Sequence, residues 1–126
     1  MFADTQAYSG FAVGDFAAAR AFYAETLGLR VTTLSEEGGL MQLELAGDRP
    51  TLIYAKADHV PAVFTILNFI VDDIDAAVDG LAARGVTFER YEGFDQDERG
   101  IARGQGPDIA WFTDPSGNIL SVHTPM

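Results

Sequence analysis

The sequence predicts an α+β chain built from two successive β-α-β-β-β modules. Three observations predict it. Phe69-Ile70-Val71-Asp72-Asp73-Ile74 repeats the pattern of Phe11-Ala12-Val13-Gly14-Asp15-Phe16 at an offset of 58. Leu45 through Lys56 aligns without gaps on Phe112 through His123 at an offset of 67. Each copy of the first stretch opens a helical pattern closed by a glycine, Gly28 in one and Gly85 in the other. A repeat constrains architecture more strongly than any single element does.

Module one opens with a strand over 8–13. Asp15 follows as a helix N-cap, because its short carboxylate accepts from backbone N–H groups that have no partner inside the helix. Phe16, Ala19, Phe22, Tyr23 and Leu27 then recur at helical spacing, and Gly28 stops the helix. Strands are expected at 29–34, 40–46 and 51–56, the last two joined by a turn at Ala46-Gly47-Asp48-Arg49-Pro50. In module two, Ile66 to Val71 reads as the opening strand. Ile74, Ala77, Val78 and Leu81 form the apolar face of the second helix. Gly80 within it costs about 1 kcal/mol relative to alanine. Val86 to Arg90 is the next expected strand. The chain closes on a hairpin over 111–123, reversed by Asp114-Pro115-Ser116-Gly117-Asn118. That turn supplies an acceptor, a fixed φ and a φ > 0 position. Gly93 to Pro107 breaks the repeat. It is glycine-rich, without period, and longer than an ordinary connection, so it reads either as a binding loop or as a surface excursion.

At 126 residues, 1–126 form a single domain, with module one at about 6–57, a linker over 58–63 and module two at about 64–126. Hydrophobic residues make up 48% and mean hydropathy is +0.07, which suits a packed core rather than disorder. Cysteine is absent, excluding disulfides, thiolate metal sites and a cysteine nucleophile. Nineteen acidic against eight basic residues give a net charge of −11. Such a surface repels phosphate backbones, so no nucleic-acid partner is expected. No apolar run is long enough to span a bilayer and no basic-then-apolar leader opens the chain, so no membrane partner and a cytoplasmic location are expected.

The Asp15-capped helix, Phe22-Tyr23 followed by Leu27-Gly28-Leu29, and the Asp114-Pro115-Ser116-Gly117-Asn118 turn before the last strand together resemble the vicinal oxygen chelate superfamily. It includes glyoxalase I, extradiol dioxygenases, fosfomycin-resistance enzymes and bleomycin-resistance proteins. The resemblance implies that the two modules form a cup-shaped half-barrel sheet with helices outside, and that the chain is a homodimer. In metal-dependent members, a ligand stands early in the first strand and another in the last strand of each module. Matched motif by motif, those positions are Tyr8, Tyr54, Ile66 and Ser121, and the repeat pairs Tyr8 with Ile66 and Tyr54 with Ser121. A divalent ion favours imidazole and carboxylate donors, and none of the four residues supplies one. The only histidines are His59, read as a solvated linker residue, and His123, read as a partly exposed imidazole near the chain end. No metal and no cofactor are expected.

Strand alternation then gives the lining of the cup. With Tyr8 inward, so are Gly10, Ala12, Leu52, Tyr54, Lys56, Ile66, Asn68, Ile70, Ile119, Ser121 and His123. Trp111 and Phe112 are neighbours on opposite faces, so one of them enters the cup. The candidate ligand-binding residues are therefore Tyr8, Tyr54, Lys56, Asn68, Trp111, Phe112, Ser121 and His123. Each has a plainer reading. The tyrosines fill the cup, Lys56 reaches out from its rim, and Asn68 satisfies itself on backbone. Ser121 and His123 share a face, yet no acid is placed to orient the imidazole as a catalytic triad needs. Asp72, Asp73, Asp75 and Asp79 suit a helix start, while Asp95, Asp97 and Glu98 are available to a cation. The lining suits a small organic ligand, and the expected function is metal-independent binding that sequesters a drug or metabolite. The alternative is a metal-dependent lyase, isomerase or dioxygenase with relocated ligands. A third reading is a filled cup that serves only dimerisation.

Overall fold

The computed structural model describes all 126 residues. They form two compact units, Met1–Val60 and Pro61–Met126. There are seven strands and two helices, and no helix is long and apolar enough to cross a membrane.

In the first unit, β1 (Ser9–Val13) runs parallel to β4 (Arg49–Ala55). β4 pairs antiparallel with β3 (Leu40–Leu45), and β3 with β2 (Arg30–Ser35), giving the order β1-β4-β3-β2. Helix α1 (Phe16–Ala21) starts where Asp15 accepts from the Ala18 N–H at 3.0 Å. It widens into a π-helical turn, Phe22–Thr26, in which the Leu27 N–H reaches the Phe22 carbonyl. Gly28 follows at φ 69°, a left-handed position that ends the helix. One face of the sheet is dry. Val13, Met41, Leu43 and Ile53 pack there with Ala19 and Tyr23, all fully buried. Burying each large apolar side chain contributes about 1.5–3 kcal/mol. The opposite face, carrying Ala12, Leu40, Gln42, Leu52 and Tyr54, is half-buried to exposed.

The second unit has the order β5-β7-β6, with β5 (Thr65–Ile70) parallel to β7 (Ile119–His123) and β6 (Ile109–Thr113) antiparallel to it. Helix α2 (Ile74–Ala83) is capped by Asp73, which accepts from the Ala76 N–H at 3.0 Å. Ile74 and Val78 are buried with Ala110, Phe112, Leu120 and Val122.

One expected strand does not form. Val86 to Arg90 is not a strand. Only Phe88 bridges Phe112, and the Glu89 N–H donates to the Trp111 carbonyl. The reason lies in Gln96, whose amide takes the backbone groups a further strand would use. Its Nε2 donates to the Glu89 and Gly100 carbonyls, and its Oε1 accepts from the Tyr91 N–H. The two sheets also differ in register: Gly10 lies opposite Leu52, whereas Asn68, 58 positions on, lies opposite Ser121 rather than Ile119. The slip of two keeps Leu67 to Ile70 on their expected faces, while an irregularity between Thr65 and Leu67 leaves Ile66 without a partner on β7.

The 93–107 segment is a built loop rather than a surface excursion. Asp97 accepts from the Arg99 and Ile101 N–H groups, Ile101 and Ala102 are buried, and Ala102 pairs with Ile109. Arg99 pairs with Asp75 and, at 2.8 Å, with Asp79. Arg103 reaches Asp75 at 2.8 Å and Asp108 at 3.4 Å. The loop is thereby tied to α2.

Candidate functional site

The turn at Asp114 sets the site's register. Its buried carboxylate accepts from the Ser116 and Asn118 N–H groups and from the Asn118 side-chain amide. Gly117 takes φ 84°, which a glycine adopts at no steric cost. The turn so closed pairs Thr113 with Ile119, and hence Trp111 with Ser121 and Phe112 with Leu120. Trp111 therefore shares a face with Ser121. Phe112, counted among the candidate contacts, lies on the other face. It is fully buried, and its ring meets Phe88 edge-on at 5.9 Å. The hairpin thus separates two neighbours that the sequence left undecided.

The register arranges the site face of the second unit in rows across its three strands. Ile70, His123 and Ile109 form one row, and Asn68, Ser121 and Trp111 the next. The Ser121 hydroxyl, fully buried, donates to Asn68 Oδ1 at 2.5 Å. Asn68 is thus satisfied by a side chain rather than by backbone, and its Nδ2 makes no bond within the chain. His123 is only 7% exposed, buried between isoleucines rather than standing at the surface. Its Nδ1 lies 2.6 Å from the Thr124 carbonyl oxygen. A carbonyl only accepts, so Nδ1 carries a proton and Nε2 is the ring atom left for another partner.

Trp111 is covered from the loop. Tyr91 meets its ring at 5.4 Å and Phe94 at 4.8 Å. Burial, with the Glu89 carboxylate nearby, raises the Tyr91 phenol above its ordinary value, so it stays neutral near pH 7. Phe94 remains 44% exposed. Tyr91 and Phe94 against Trp111, and Gln96 bonded to the loop backbone, are neighbours of this face that strand alternation misses. The signal was available in two aromatics flanking Gly93 inside an otherwise polar loop.

The remaining candidates lie in the first unit. Tyr8 precedes β1 and is 68% exposed, so it fills no core in this chain. Tyr54 lies between Ala12 and Leu40 on the open sheet face. Lys56 follows β4 and pairs with Asp58, whose hydrogen bond raises the ammonium's pKa. His59 is half-buried rather than solvated, and its Nε2 is buried without a partner. A depression of about 590 Å³ in this unit, lined by Gly28 to Arg30 and Glu44 to Asp48, contains none of the candidate residues.

The four positions that would hold a metal do not fit one. Ile66 has no donor atom, Ser121 has its hydroxyl proton on Asn68, and Tyr8 and Tyr54 offer only phenols. No three His, Asp or Glu side chains are grouped to bind an ion.

Comparison with known proteins follows the fold closely. TnmS3, an antibiotic binding protein from Streptomyces sp. CB03234, is similar with a TM-score of 0.71 and 24% identity over 98% of each chain. A glyoxalase family protein from Enterococcus faecalis gives 0.65 and 22%, over 98% of this chain and 99% of that one. The fosfomycin resistance protein FosX from Mesorhizobium loti gives 0.66 and 16%, over 98% and 93%. No curated protein matches the sequence significantly. The family model for the Glyoxalase/Bleomycin resistance protein/Dioxygenase superfamily matches residues 5–122, and on that match the chain belongs to this superfamily.

Proposed function

We propose that the protein binds a small organic molecule without a metal ion and sequesters it, acting as a homodimer. One observation carries the reading. At the position where a metal ligand is expected, Ser121 spends its hydroxyl on Asn68, and an organic set of amide, indole and imidazole occupies the same face. Aromatic surface with a few placed polar groups is what small-molecule sites offer. The antibiotic-binding relative supports the class of function. Metal analysis after incubation with nickel, zinc, manganese and ferrous iron tests it. The expected result is no stoichiometric ion after chelator washing, together with a rise in melting temperature for some members of an aromatic ligand panel. One retained equivalent per chain overturns the metal-free reading.

The His123 ring, with Nδ1 on the Thr124 carbonyl, favours a second reading, an enzyme in which Nε2 takes a proton from the bound ligand. Turnover that disappears in His123→Gln, with ligand binding kept, would establish it.

A further inference from the structure

We infer that the second unit selects ligands bearing an uncharged oxygen acceptor, such as a carbonyl, through the Asn68 amide, with Ser121 as a positioning residue. This rests on the binding reading above and names the ligand class. Asn68 Oδ1 is held by a fully buried hydroxyl at 2.5 Å. Flipping the amide would replace that acceptor with an NH2 group and leave the serine proton unpaired in a dry place. The amide orientation is therefore fixed, and both Nδ2 protons are free for a ligand. Asn68 itself is exposed, so the donor is reachable. The indole N–H of Trp111, on the other side of Ser121 in the same row, also makes no bond within the chain. Two free donors in one row call for an acceptor.

Charge narrows the class. No Lys, Arg, Asp or Glu stands on this face of β5, β6 or β7. Arg99 and Arg103 are held by carboxylates, and Arg90 donates to the Glu98 carbonyl. An anion finds no counter-charge here, and the chain's net charge of −11 repels it. A cation gains nothing from two N–H donors. A neutral acceptor on an apolar or aromatic skeleton satisfies the amide while resting against Ile70, Trp111 and Phe94.

The single tryptophan makes the test local, because one indole N–H resonance reports this face. Three probes are titrated into the 15N-labelled full chain: naphthalene, 2-acetylnaphthalene and a naphthylmethyl-trimethylammonium salt. 2-Acetylnaphthalene is expected to bind roughly fivefold more tightly than naphthalene, about the worth of one net hydrogen bond. In Asn68→Leu the preference falls to about one while naphthalene still binds. In Ser121→Ala the preference weakens, because the amide is free to rotate. Equal binding of the two neutral probes, tightest binding of the cation, or a preference that survives Asn68→Leu overturns the inference and leaves the binding reading standing. No movement of the Trp111 resonance with any probe overturns both.

Discussion

At the scale of single residues, the site depends on an aspartate that touches no ligand position. Asp114 is a buried carboxylate kept by three hydrogen bonds from its own turn. Remove it, and two backbone N–H groups and one amide lose their acceptor together. Hydrogen bonds to a charged group contribute about 1.5–3 kcal/mol each and do not add fully. Asp114→Ala is therefore expected to destabilise the chain by about 3 kcal/mol in urea unfolding. A loss below about 1 kcal/mol would show that the turn closes on backbone alone. The variant is also expected to weaken ligand binding, since the turn fixes Trp111 opposite Ser121.

At the scale of elements, local chemistry was legible and long-range pairing was not. Both helix caps, the Gly28 stop and the Asp114 turn follow from residues within a few positions of one another. Alternation likewise put Ser121 and His123 on one face, because a strand has only two, and the pairing of β5 with β7 brings Asn68 to the same face. What sequence did not disclose depended on distant partners. Gln96 bonds the backbone of Glu89 and Tyr91, which turns an apparent strand over 86–90 into a single bridge. The choice between Trp111 and Phe112 required the hairpin register. The loop's order comes from Arg99 and Arg103 meeting carboxylates on α2, far away along the chain. That contact gives a signed prediction. Hydrogen bonds from Arg99 and then Arg103 hold Asp75 below its ordinary value of 3.8. A depressed carboxylate stabilises fully above its unfolded value, and the effect is lost as pH falls through the folded one. Tyr91 and Phe94 cover Trp111, so its fluorescence reports the loop. Emission is expected to hold steady from pH 7 to about 4 and to change below it. Asp75→Asn should loosen the loop already at pH 7. If that variant keeps the native emission at all pH values, the clamp does not hold the loop.

At the scale of the whole molecule, burial and charge pull in opposite directions. Each unit packs one sheet face against its helix. In the first unit the other face leaves Tyr54 38% exposed, with Tyr8 at 68% just before β1, and in the second Ile70 is 67% exposed. Apolar surface of that kind favours association with another protein surface. A second copy is the partner the proposed function requires, and each copy brings a net charge of −11. Two such chains repel over a range set by the Debye length, about 30 Å at 0.01 M salt and about 10 Å at 0.1 M. Association driven by apolar burial against like charge should therefore tighten as salt screens the repulsion. Sedimentation equilibrium is expected to give twice the 13.6 kDa chain mass, with a dissociation constant that falls several-fold between those two salt levels. Tyr54→Asp adds a charge to the uncovered face and should shift the equilibrium toward monomer. A dimer that weakens with salt would mean that ion pairs hold it, and monomer at every salt level would remove the homodimer from the proposed function.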